Sequence, residues 1–450
     1  MGKYFGTDGF RGEAGITLTA EQAFRTGRYL GYHLNKQSQE KVKVVIGKDT
    51  RLSSYMLEYA IASGLAASGA DVYLLHVTTT PCVSYVTVTD GFDCGVMITA
   101  SHNPYHDNGI KIIDAKGEKL TDATAELIEK YIDGIIAEIP YSSGTEIGKI
   151  HDYYSGRNRY IAYLISLASN SYKGLRIGID SANGSAFAIS RAVFSALGAQ
   201  IYAIADEPNG TNVNVECGST NPQKLAKLVK EKRLDIGFAF DGDADRCIAV
   251  DSDGNIADGD KIMYVLASRL KRLGMLANNT IVATVMSNGG FIKSADNLGL
   301  DVETTQVGDR FVYEKMQECG ASLGGEQSGH IIIRKYATTG DGILTAIMLT
   351  EELKDTKSTL KALTKDIITY PQMTVSVRVK DKAKAINDPE IKALTARIRT
   401  ETGECGRLIL RESGTEPKVR IMLEAQSEQV CQKYVNEIVN VLSSRGHIDE

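Results

Sequence analysis

The segment VKVVIGKDTRLSSYMLEYAIASGLAASGADVYLLH, residues 42–76, decides the fold class of this chain. Residues 42–47 are largely apolar and predict a buried strand, and residues 72–76 predict a second one. Between them, residues 54–68 have the apolar pattern of a helix. A strand, a helix and a strand in this order imply a right-handed β-α-β unit with parallel strands. Because similar patterns alternate along most of the chain, the sequence predicts an α/β fold with a mainly parallel sheet.

An apolar strand that ends in a small, polar turn before a helix occurs three times. The three copies are KVVIGKDTRLSS (43–54), LRIGIDSANGSA (175–186) and TIVATVMSNGG (280–290). A separate α/β unit for each copy is one interpretation, since repeated structural units give self-similar strings. The alternative is that any α/β protein contains similar strings, and the residues alone leave both open.

The pattern changes near residues 368–371, where a small α+β domain is expected to begin. Residues 372–380 alternate apolar and polar side chains, as a half-exposed antiparallel strand does. Residues 407–425 predict two strands around a tight loop that contains glycine. Helical patterns cover 388–400 and 427–444, and a serine caps the second.

The bulk properties of the chain indicate a soluble protein of several domains. With 450 residues, 43% hydrophobic and 24% charged, it is too long for one ordinary core, and two to four domains are expected. The net charge of −5 argues against nucleic acid or an anionic membrane as the main partner. An anionic ligand would therefore need local arginines, lysines and backbone amides.

Cysteine usage and the apolar runs bear on the compartment. The seven cysteines form no C-x-x-C pair, which indicates a reducing compartment without a disulfide framework or structural zinc. Residues 1–12, MGKYFGTDGFRG, have no apolar run typical of a signal peptide, and no stretch approaches the 18 apolar residues of a membrane span. A cytoplasmic location is the expectation.

The segment TASHNPYHDNGIK, residues 99–111, follows an apolar strand and offers a reactive hydroxyl. Ser101 lies in a loop at a strand end, where we expect it to be exposed, with His102 beside it and Lys111 at the end of the segment. A hydroxyl with a nearby cation suits phosphoryl transfer. The alternative is a turn whose Asn and Pro only set the backbone geometry.

The segment DGDADR, residues 241–246, predicts a metal site. Asp241, Asp243 and Asp245 are separated by single small residues, and three carboxylates this close repel one another unless a cation binds them. Hard oxygen ligands favour Mg²⁺ or Ca²⁺ over zinc. Arg246 next to the triad suggests a phosphate between the metal and the guanidinium. An acidic turn exposed to water is the alternative.

Three further glycine-rich segments carry polar groups that suit a sugar phosphate, although each could also be an ordinary hairpin or turn. GGEQSGH (324–330) offers a carboxylate, a hydroxyl and an imidazole to sugar hydroxyls. RESGTEPKVR (411–420) can surround a phosphate with hydroxyls, amides and two arginines. FGTDGFRG (5–12) places Arg11 among glycines.

These five segments, in this order, resemble the α-D-phosphohexomutase superfamily, and the resemblance covers nearly the whole chain. Residues 209–222, 307–312 and 338–345 resemble in particular the branch that acts on glucosamine phosphates. The resemblance implies three similar mixed α/β domains and a C-terminal α+β phosphate-binding domain around a central cleft. The domains expected are 1–152 with the phosphoserine loop, 153–252 with the metal loop, 253–368 with the sugar loop, and 369–450.

The resemblance also implies roles for individual residues. Ser101 would be a phosphoserine, and one of its phosphate oxygens would bind Mg²⁺ together with the three aspartates. Lys111, helped by Arg11 and His102, would transfer protons or neutralise charge, and Arg246 would steady the phosphoryl group. The residues that would bind the sugar are Glu326 and Ser328, with His330 close by; those that would hold the phosphate that is not reacting are Arg411, Ser413, Gly414, Thr415 and Arg420.

The activity implied is the interconversion of glucosamine 6-phosphate and glucosamine 1-phosphate through a 1,6-bisphosphate, which would supply UDP-N-acetylglucosamine and cell-wall precursors. One Mg²⁺ per chain, and glucosamine or glucose 1,6-bisphosphate as activator, are expected. Two rivals are the same chemistry on glucose or mannose phosphates and a phosphosugar-binding regulator without turnover. The only partner expected is the phosphosugar; a homodimer is one assembly left open.

The chain departs from the commonest pattern of the superfamily at two positions. Ala244 replaces a glycine in the metal loop, so the loop is expected to have ordinary negative φ there. Gly289 replaces a larger apolar residue and is expected to loosen a hinge or a helix start. Neither change touches a proposed ligand.

Overall fold

The protein was examined as a computed structural model that describes residues 2–6, 8–413 and 417–449, without the side chain of Glu404. It divides into two compact units. The first consists of Met1–Val285 and Asp301–Lys365, and the second of Met286–Leu300 and Asp366–Glu450.

The first sheet of the first unit has seven strands. They are β1 (Phe5–Gly6), β2 (Gly9–Glu13), β3 (Lys43–Lys48), β4 (Asp71–Val77), β5 (Cys94–Ile98), β6 (Asp107–Asp114) and β7 (Ile150–Asp152). Their spatial order is β1-β2-β6-β5-β3-β4-β7. The accompanying helices are α1 (Ala20–Gln37), α2 (Leu52–Ala67), α3 (Thr80–Thr89) and α4 (Asp122–Ile132).

The second and third sheets follow along the chain. The second consists of β8 (Arg176–Asp180), β9 (Gln200–Ile204), β10 (Ile236–Phe240), β11 (Cys247–Asp251) and β12 (Ile256–Ala257), in the order β12-β11-β10-β8-β9. The third consists of β13 (Thr280–Thr284), β14 (Asp301–Thr305), β15 (Leu323–Gly325) and β16 (Ile331–Ile333), in the order β14-β13-β15-β16. The helices from α5 to α12, of which α9 belongs to the second unit, are α5 (Tyr154–Ser166), α6 (Ala186–Ala196), α7 (Gln223–Lys232), α8 (Gly259–Arg272), α9 (Gly289–Asn297), α10 (Asp309–Cys319), α11 (Gly342–Thr356) and α12 (Leu360–Thr364).

Each of these sheets is mixed, so the prediction of a mainly parallel sheet is wrong. Strand β3 pairs in parallel with β4 and β5, but β6 pairs with β5 antiparallel. The connection from β5 to β6 is the short segment 99–106, and a parallel pair would need a crossover of a dozen or more residues. The antiparallel return strands β6, β11 and β16 therefore follow directly after the segments in which the sequence predicts chemistry.

The three repeated strings have the structure expected of them. Strands β3, β8 and β13 each end in a polar turn, and the helices that follow are α2, α6 and α9. The turns of the first two copies touch, since the Thr50 hydroxyl donates to the Asn183 carbonyl over 2.6 Å. In the third copy, the strand belongs to the first unit and the helix to the second.

The second unit contains the small α+β structure predicted for the end of the chain. Its antiparallel strands are β17 (Gln372–Arg378), β18 (Arg407–Glu412) and β19 (Lys418–Glu424), in the order β17-β19-β18, and its remaining helices are α13 (Lys382–Asn387), α14 (Pro389–Thr402) and α15 (Glu428–Ser444). The predicted serine cap of the last helix is Ser427, which accepts a hydrogen bond from the Val430 amide. Apolar side chains of the helices and strands form the core of this unit.

Gly289 is the first residue of α9 and lies close to a buried carboxylate. Its amide donates to Glu424 over 3.1 Å, and a Cβ at this position would approach the same carboxylate to 3.0 Å. The helix start is anchored by this contact and by the Asn288 cap, whose side chain accepts from the Gly290 amide. The expectation that Gly289 loosens a hinge or a helix start is therefore not needed to explain the glycine.

Two observations bear on the compartment. The seven cysteines are free in the structure. Among the described residues, no helix is both long and apolar enough to cross a membrane.

Candidate active site

The loop between β5 and β6 carries Ser101 into the interior. Its hydroxyl donates a 2.6 Å hydrogen bond to Asp241 and lies 3.3 Å from Nδ1 of His102. The prediction that Ser101 is exposed is wrong, since only 1% of the residue is accessible. The loop folds inward because buried donors hold its carbonyl groups, and Ser101 adopts a left-handed backbone with φ of +49°. The structure thus joins the predicted nucleophile to the predicted metal loop.

The three predicted metal ligands lie in the turn from β10 to β11 and are buried. One carboxylate oxygen from each of Asp241, Asp243 and Asp245 can be chosen so that all lie within 4.8 Å of one another. Oδ1 of Asp243 and Oδ1 of Asp245 are buried without a hydrogen-bond partner among the described residues. Orphaned buried carboxylate oxygens are costly unless a cation binds them. This donor set fits a hard divalent cation such as Mg²⁺.

The charge state of Asp241 leads to the same conclusion. Burial raises its pKa well above the usual value, and the negative charges of Asp245 and Asp243 raise it further. The charge of Arg246 and the hydrogen bond from Ser101 lower the pKa by less, so the carboxyl group resists ionisation. A divalent cation would offset the repulsion and allow the three groups to be ionised together.

Ala244, between the second and third aspartates, has a left-handed backbone. Its φ is +57°, so the expectation of ordinary negative φ is wrong. The residue is fully buried, and the turn needs this conformation in order to bring the flanking carboxylates together. The loop accepts the strain of an alanine because the surrounding contacts determine its path.

Lys111 comes from β6 and reaches the aspartates from the first sheet. Its Nζ lies 2.8 Å from Asp243 and 3.1 Å from Asp245. Burial opposes the charged amine, but the carboxylates of Asp243, Asp245 and Asp8 outweigh it and raise the pKa of Lys111 well above its usual value. Lys111 is therefore a fixed positive charge at the edge of the candidate metal site.

Three charged side chains that the sequence did not single out complete this network: the acidic Asp8 and Asp309, and the basic Lys119. Asp8 pairs with Arg11, lies 3.5 Å from Nζ of Lys111 and accepts a 3.0 Å hydrogen bond from Lys119. Burial would raise the pKa of Asp8, but Lys111, Lys119 and Arg11 together hold it well below its usual value. Asp309, in the segment 307–312, binds Lys119 from the other side over 2.6 Å. Asp8 thereby joins Arg11 to Lys111, which contacts the aspartates.

His102 is neutral at neutral pH in the unphosphorylated chain. The positive charge of Arg246, burial and the charge of Arg11 lower its pKa to about 3. A neutral imidazole can exchange a proton or accept a hydrogen bond, but it contributes no positive charge. Of the two roles implied for His102, proton transfer is the one that a neutral imidazole fits.

The segment 324–330 forms the turn between β15 and β16. Oε1 of Glu326 accepts a 3.0 Å hydrogen bond from the Gly308 amide, and Ser328 is exposed. The ring of His330 is enclosed: Nε2 accepts from the Gly340 amide over 3.0 Å, and Nδ1 lies 3.7 Å from Asp245. His330 thus connects the metal loop to the segment 338–345.

Two cavities adjoin these groups, with volumes of about 230 and 460 Å³. Lys111, Lys119 and Arg310 line both. Asp245 and His330 line the smaller one, and Asp8 lines the larger one. Small-molecule pockets are typically about 300–1,000 Å³, so the larger cavity is of a size that admits a ligand next to Lys111.

The predicted phosphate-binding residues lie in the second unit. Arg411 on β18 and Arg420 on β19 are direct cross-strand partners. Burial and the charge of Arg420 lower the pKa of Arg411, and its Nε is buried without a hydrogen-bond partner among the described residues. The buried Ser413 follows β18, whereas Gly414 and Thr415 lie outside the described residues. Guanidinium groups on directly paired strand positions are donors of the kind that suits an anion.

Sequence comparison assigns the chain to a family. Residues 2–138, 158–254 and 258–370 match the phosphoglucomutase/phosphomannomutase alpha/beta/alpha domains I, II and III, and residues 375–441 match its C-terminal domain. The chain belongs to the phosphoglucomutase/phosphomannomutase family. This confirms the predicted superfamily and its three α/β domains followed by a C-terminal domain.

Individual members of the phosphoglucomutase/phosphomannomutase family cover the whole chain. Phosphoglucosamine mutase of Lachnospira eligens is 53% identical over 448 residues, covering 99% of this chain and 100% of its own. The enzyme of the same name from Lachnoclostridium phytofermentans is 54% identical and covers 100% of both chains. Among solved structures, a phosphoglucomutase/phosphomannomutase family protein of Burkholderia thailandensis superposes with a TM-score of 0.81 at 25% identity, covering 98% of this chain and 97% of its own.

Proposed function

We propose that the chain is a phosphoglucosamine mutase, an isomerase that interconverts glucosamine 6-phosphate and glucosamine 1-phosphate. The observation that carries the chemistry is the Ser101 hydroxyl, 2.6 Å from Asp241 in a buried cluster of three aspartates. The choice of sugar rests on the relatives named phosphoglucosamine mutase, which are 53% and 54% identical over nearly the full chain.

In the proposed reaction, a phosphoryl group passes from Ser101 to the free hydroxyl of the sugar phosphate. The bond between phosphorus and the serine oxygen breaks, a bond to the sugar oxygen forms, and a 1,6-bisphosphate results. After the bisphosphate turns over, its other phosphate returns to Ser101. During the transfer, the negative charge on the phosphoryl group is neutralised by Lys111, Arg11 and Arg246.

Mg²⁺ is the proposed cofactor, held by Asp241, Asp243, Asp245 and an oxygen of phosphorylated Ser101. The orphaned oxygens of Asp243 and Asp245 support this assignment. When bound, the ion supplies electrostatic stabilisation of charge on the phosphoryl oxygens. Glucosamine or glucose 1,6-bisphosphate is the proposed activator, since either can phosphorylate Ser101.

Binding of the substrate is divided among the loops. Glu326 and the exposed Ser328 are proposed to bind sugar hydroxyls, with His330 supporting the loop. Arg411 and Arg420, with Ser413, Gly414 and Thr415, are proposed to hold the phosphate that is not reacting. Arginines bind a phosphate by its charge and planar geometry, so the same group can accept the substrate in both orientations.

The proposed domain limits are 1–152, 153–252, 253–368 and 369–450.

A cytoplasmic location is proposed, supported by seven free cysteines. The net charge of −5 favours a small phosphosugar over nucleic acid or a membrane as the partner. A homodimer is the assembly to test by native mass spectrometry.

The function is tested by comparing kcat/KM for glucosamine, glucose and mannose phosphates under identical Mg²⁺ and 1,6-bisphosphate conditions. We expect kcat/KM to be about one to two decades higher for glucosamine phosphate, because the other sugars lose one charge-assisted contact at the 2-position. Equal values, or a lead for another sugar, would assign the chain to the glucose or mannose branch. Phosphate on Ser101 that substrate does not remove would instead support a binding regulator.

A further inference from the structure

Two carbonyl groups of the Ser101 loop are each held by two donors. The carbonyl oxygen of Ser101 accepts from Arg51 Nη2 over 2.9 Å and from Asn214 Nδ2 over 2.8 Å. The carbonyl oxygen of Asn103 accepts from the same two nitrogens over 2.8 and 3.2 Å. The loop is thus hydrogen-bonded by Arg51, which follows β3 of the first sheet, and by Asn214, which lies between β9 and β10 of the second sheet.

All three nitrogens of the Arg51 guanidinium donate hydrogen bonds to the Ser101 loop or to Asp49, which supports it. The guanidinium is fully buried, its Nη1 donates to the carbonyl groups of Pro104 and Asp107, and its Nε donates to Asp49 over 2.7 Å. Asp49 also accepts from the hydroxyl of Thr99, which in turn accepts from the Ser101 amide over 2.9 Å. Arg51 and Asp49 therefore fix the loop from its own sheet.

Asn214 ties the loop to the metal-binding turn. It belongs to the segment 209–222, and its backbone amide donates to the Ala182 carbonyl over 2.9 Å. The glycine of the metal turn, Gly242, packs beneath it: a Cβ on that glycine would lie 2.5 Å from the Ser101 carbonyl oxygen and 3.2 Å from Asn214 Nδ2. The amide of Asn214 therefore closes the junction where the nucleophile loop meets the aspartates.

We propose that Asn214 is a positioning residue for phosphoryl transfer, which acts with Arg51 to hold Ser101 against the metal loop. The inference rests on the proposed function only in that Ser101 is the phosphorylated group. An in-line transfer depends on the placement of the reacting oxygen. Loss of the amide should therefore lower the rate of transfer and leave the affinity for the sugar phosphate nearly unchanged.

Two variants remove the donor in different ways. Asn214→Asp keeps the shape of the side chain and its tolerance of the residue's φ of +58°, but sets a carboxylate against two carbonyl oxygens. Asn214→Gly removes the side chain without backbone strain. The matched control is Asn212→Ala, because among the described residues the Asn212 side chain bonds only within its own loop: it donates to the Glu207 carbonyl and accepts from the Asn209 amide.

The measurements are kcat and KM for each isomer, and the half-time of Ser101 phosphorylation by glucose 1,6-bisphosphate, followed by intact mass. For Asn214→Gly we expect kcat to fall about ten-fold and the half-time to lengthen by a similar factor, and for Asn214→Asp we expect larger effects. KM should stay within about three-fold, and Asn212→Ala should resemble the wild type.

The proposal is overturned if both Asn214 variants keep kcat within three-fold, if they raise KM alone, or if Asn212→Ala loses as much activity. The phosphorylation arm separates this proposal from the choice of sugar. If the wild type prefers glucose phosphate, the proposed function fails, and the same comparison of variants on glucose phosphate still decides the role of Asn214.

Discussion

Two residues of the site, Ser101 and Ala244, have left-handed backbones, with φ of +49° and +57°. Neither is a glycine, so each costs roughly 1–2 kcal/mol relative to an ordinary conformation. Both stand at the point where a strand ends in a functional turn, which is where such strain collects. A pattern of residue types does not reveal this, because serine and alanine rarely adopt positive φ.

The strain at Ala244 can be measured by substitution. Ala244→Gly should relieve about 1–2 kcal/mol of backbone strain. Glycine makes the unfolded chain more flexible, which costs about 0.4–1 kcal/mol of stability, and loss of the buried methyl group costs about 0.8 kcal/mol. We expect the free energy of unfolding to change by less than about 1 kcal/mol. Ala244→Val should destabilise by at least about 2 kcal/mol, because a β-branched residue tolerates positive φ poorly. Denaturant unfolding checks both, and a stable valine variant would contradict the left-handed turn.

The phosphoserine assignment predicts that Ser101→Ala loses at least about 99% of mutase activity while the fold survives. The matched control is Ser181→Ala, since Ser181 is equally buried in the turn that follows β8. Its hydroxyl has no hydrogen-bond partner among the described residues, so the control should keep nearly full activity. A Ser101→Ala enzyme with a tenth of normal turnover would exclude the mechanism.

At the scale of elements, the return strand β6 decides the electrostatics of the metal loop. It pairs antiparallel with β5 and places Lys111 against Asp243 and Asp245. The amine therefore partly neutralises two of the ligands on which a cation depends. Lys111 supports the loop in the absence of metal by bonding Oδ2 of both carboxylates, and its positive charge competes with that of a cation bound through their other oxygens.

Lys111→Met should therefore abolish turnover and yet increase the affinity for Mg²⁺. Removing a buried partner leaves carboxylates uncompensated, which costs about 3–5 kcal/mol in the metal-free chain. Part of that free energy is recovered on Mg²⁺ binding, so the affinity measured by calorimetry should rise at least about ten-fold, and Mg²⁺ should raise Tm more than in the wild type. Lys116→Met, at an exposed position after the same strand, serves as control. Weaker Mg²⁺ binding in Lys111→Met would contradict this competition.

The strand pair β18–β19 sets two arginines opposite each other, which is unfavourable without an anion. In Arg411→Gln, relief of like-charge repulsion should stabilise the second unit by about 0.2–1 kcal/mol in phosphate-free buffer. The same variant should raise KM for both isomers by about ten-fold or more, through loss of about 1.5–3 kcal/mol of charge-assisted binding. Arg378→Gln, on the exposed edge strand β17, is the control. A defect for one isomer alone would mean that the site is not shared.

The sequence singled out the side chains that meet around the three aspartates better than those that support them. Ser101, Lys111 and the aspartates lie in short motifs that keep their chemistry in one stretch of chain, and the structure brings them together. Asp8 and Lys119 act through contacts across more than 100 positions, which residue spacing does not encode. The burial of Ser101 also escaped prediction, because it depends on the distant donor Asn214.

At the scale of the whole molecule, buried acids make stability depend on pH. Burial raises the pKa of Asp180 to about 6, and that of Asp341 to about 6. In the unfolded chain such a group ionises near pH 3.9. As the pH rises from about 4 to about 6, the unfolded chain therefore releases protons that the folded chain retains. The stabilisation from these groups is complete below about pH 4 and is lost as the pH passes about 6.

Asp341 offers the sharper test of this pH dependence. It caps α11 by accepting from the Leu344 amide over 2.9 Å, and it accepts from the Tyr160 hydroxyl over 2.7 Å. Asparagine is an equally good cap and resembles the protonated acid. In Asp341→Asn the amide oxygen can accept from the Leu344 amide and the NH2 group can donate to the Tyr160 oxygen, so both contacts can persist without an ionisable group. Relative to the wild type, its free energy of unfolding should rise by up to about 3 kcal/mol between pH 4 and pH 7.

The measurement is denaturant unfolding of the first unit at several pH values, with the variant and the wild type compared at each. Asp301→Asn is the control, because Asp301 lies exposed on the edge strand β14, and its difference from the wild type should stay flat. A flat difference for Asp341→Asn would show that the folded state ionises Asp341 as readily as the unfolded chain does. The Leu344 amide and the Tyr160 hydroxyl would then stabilise the carboxylate by as much as burial opposes it.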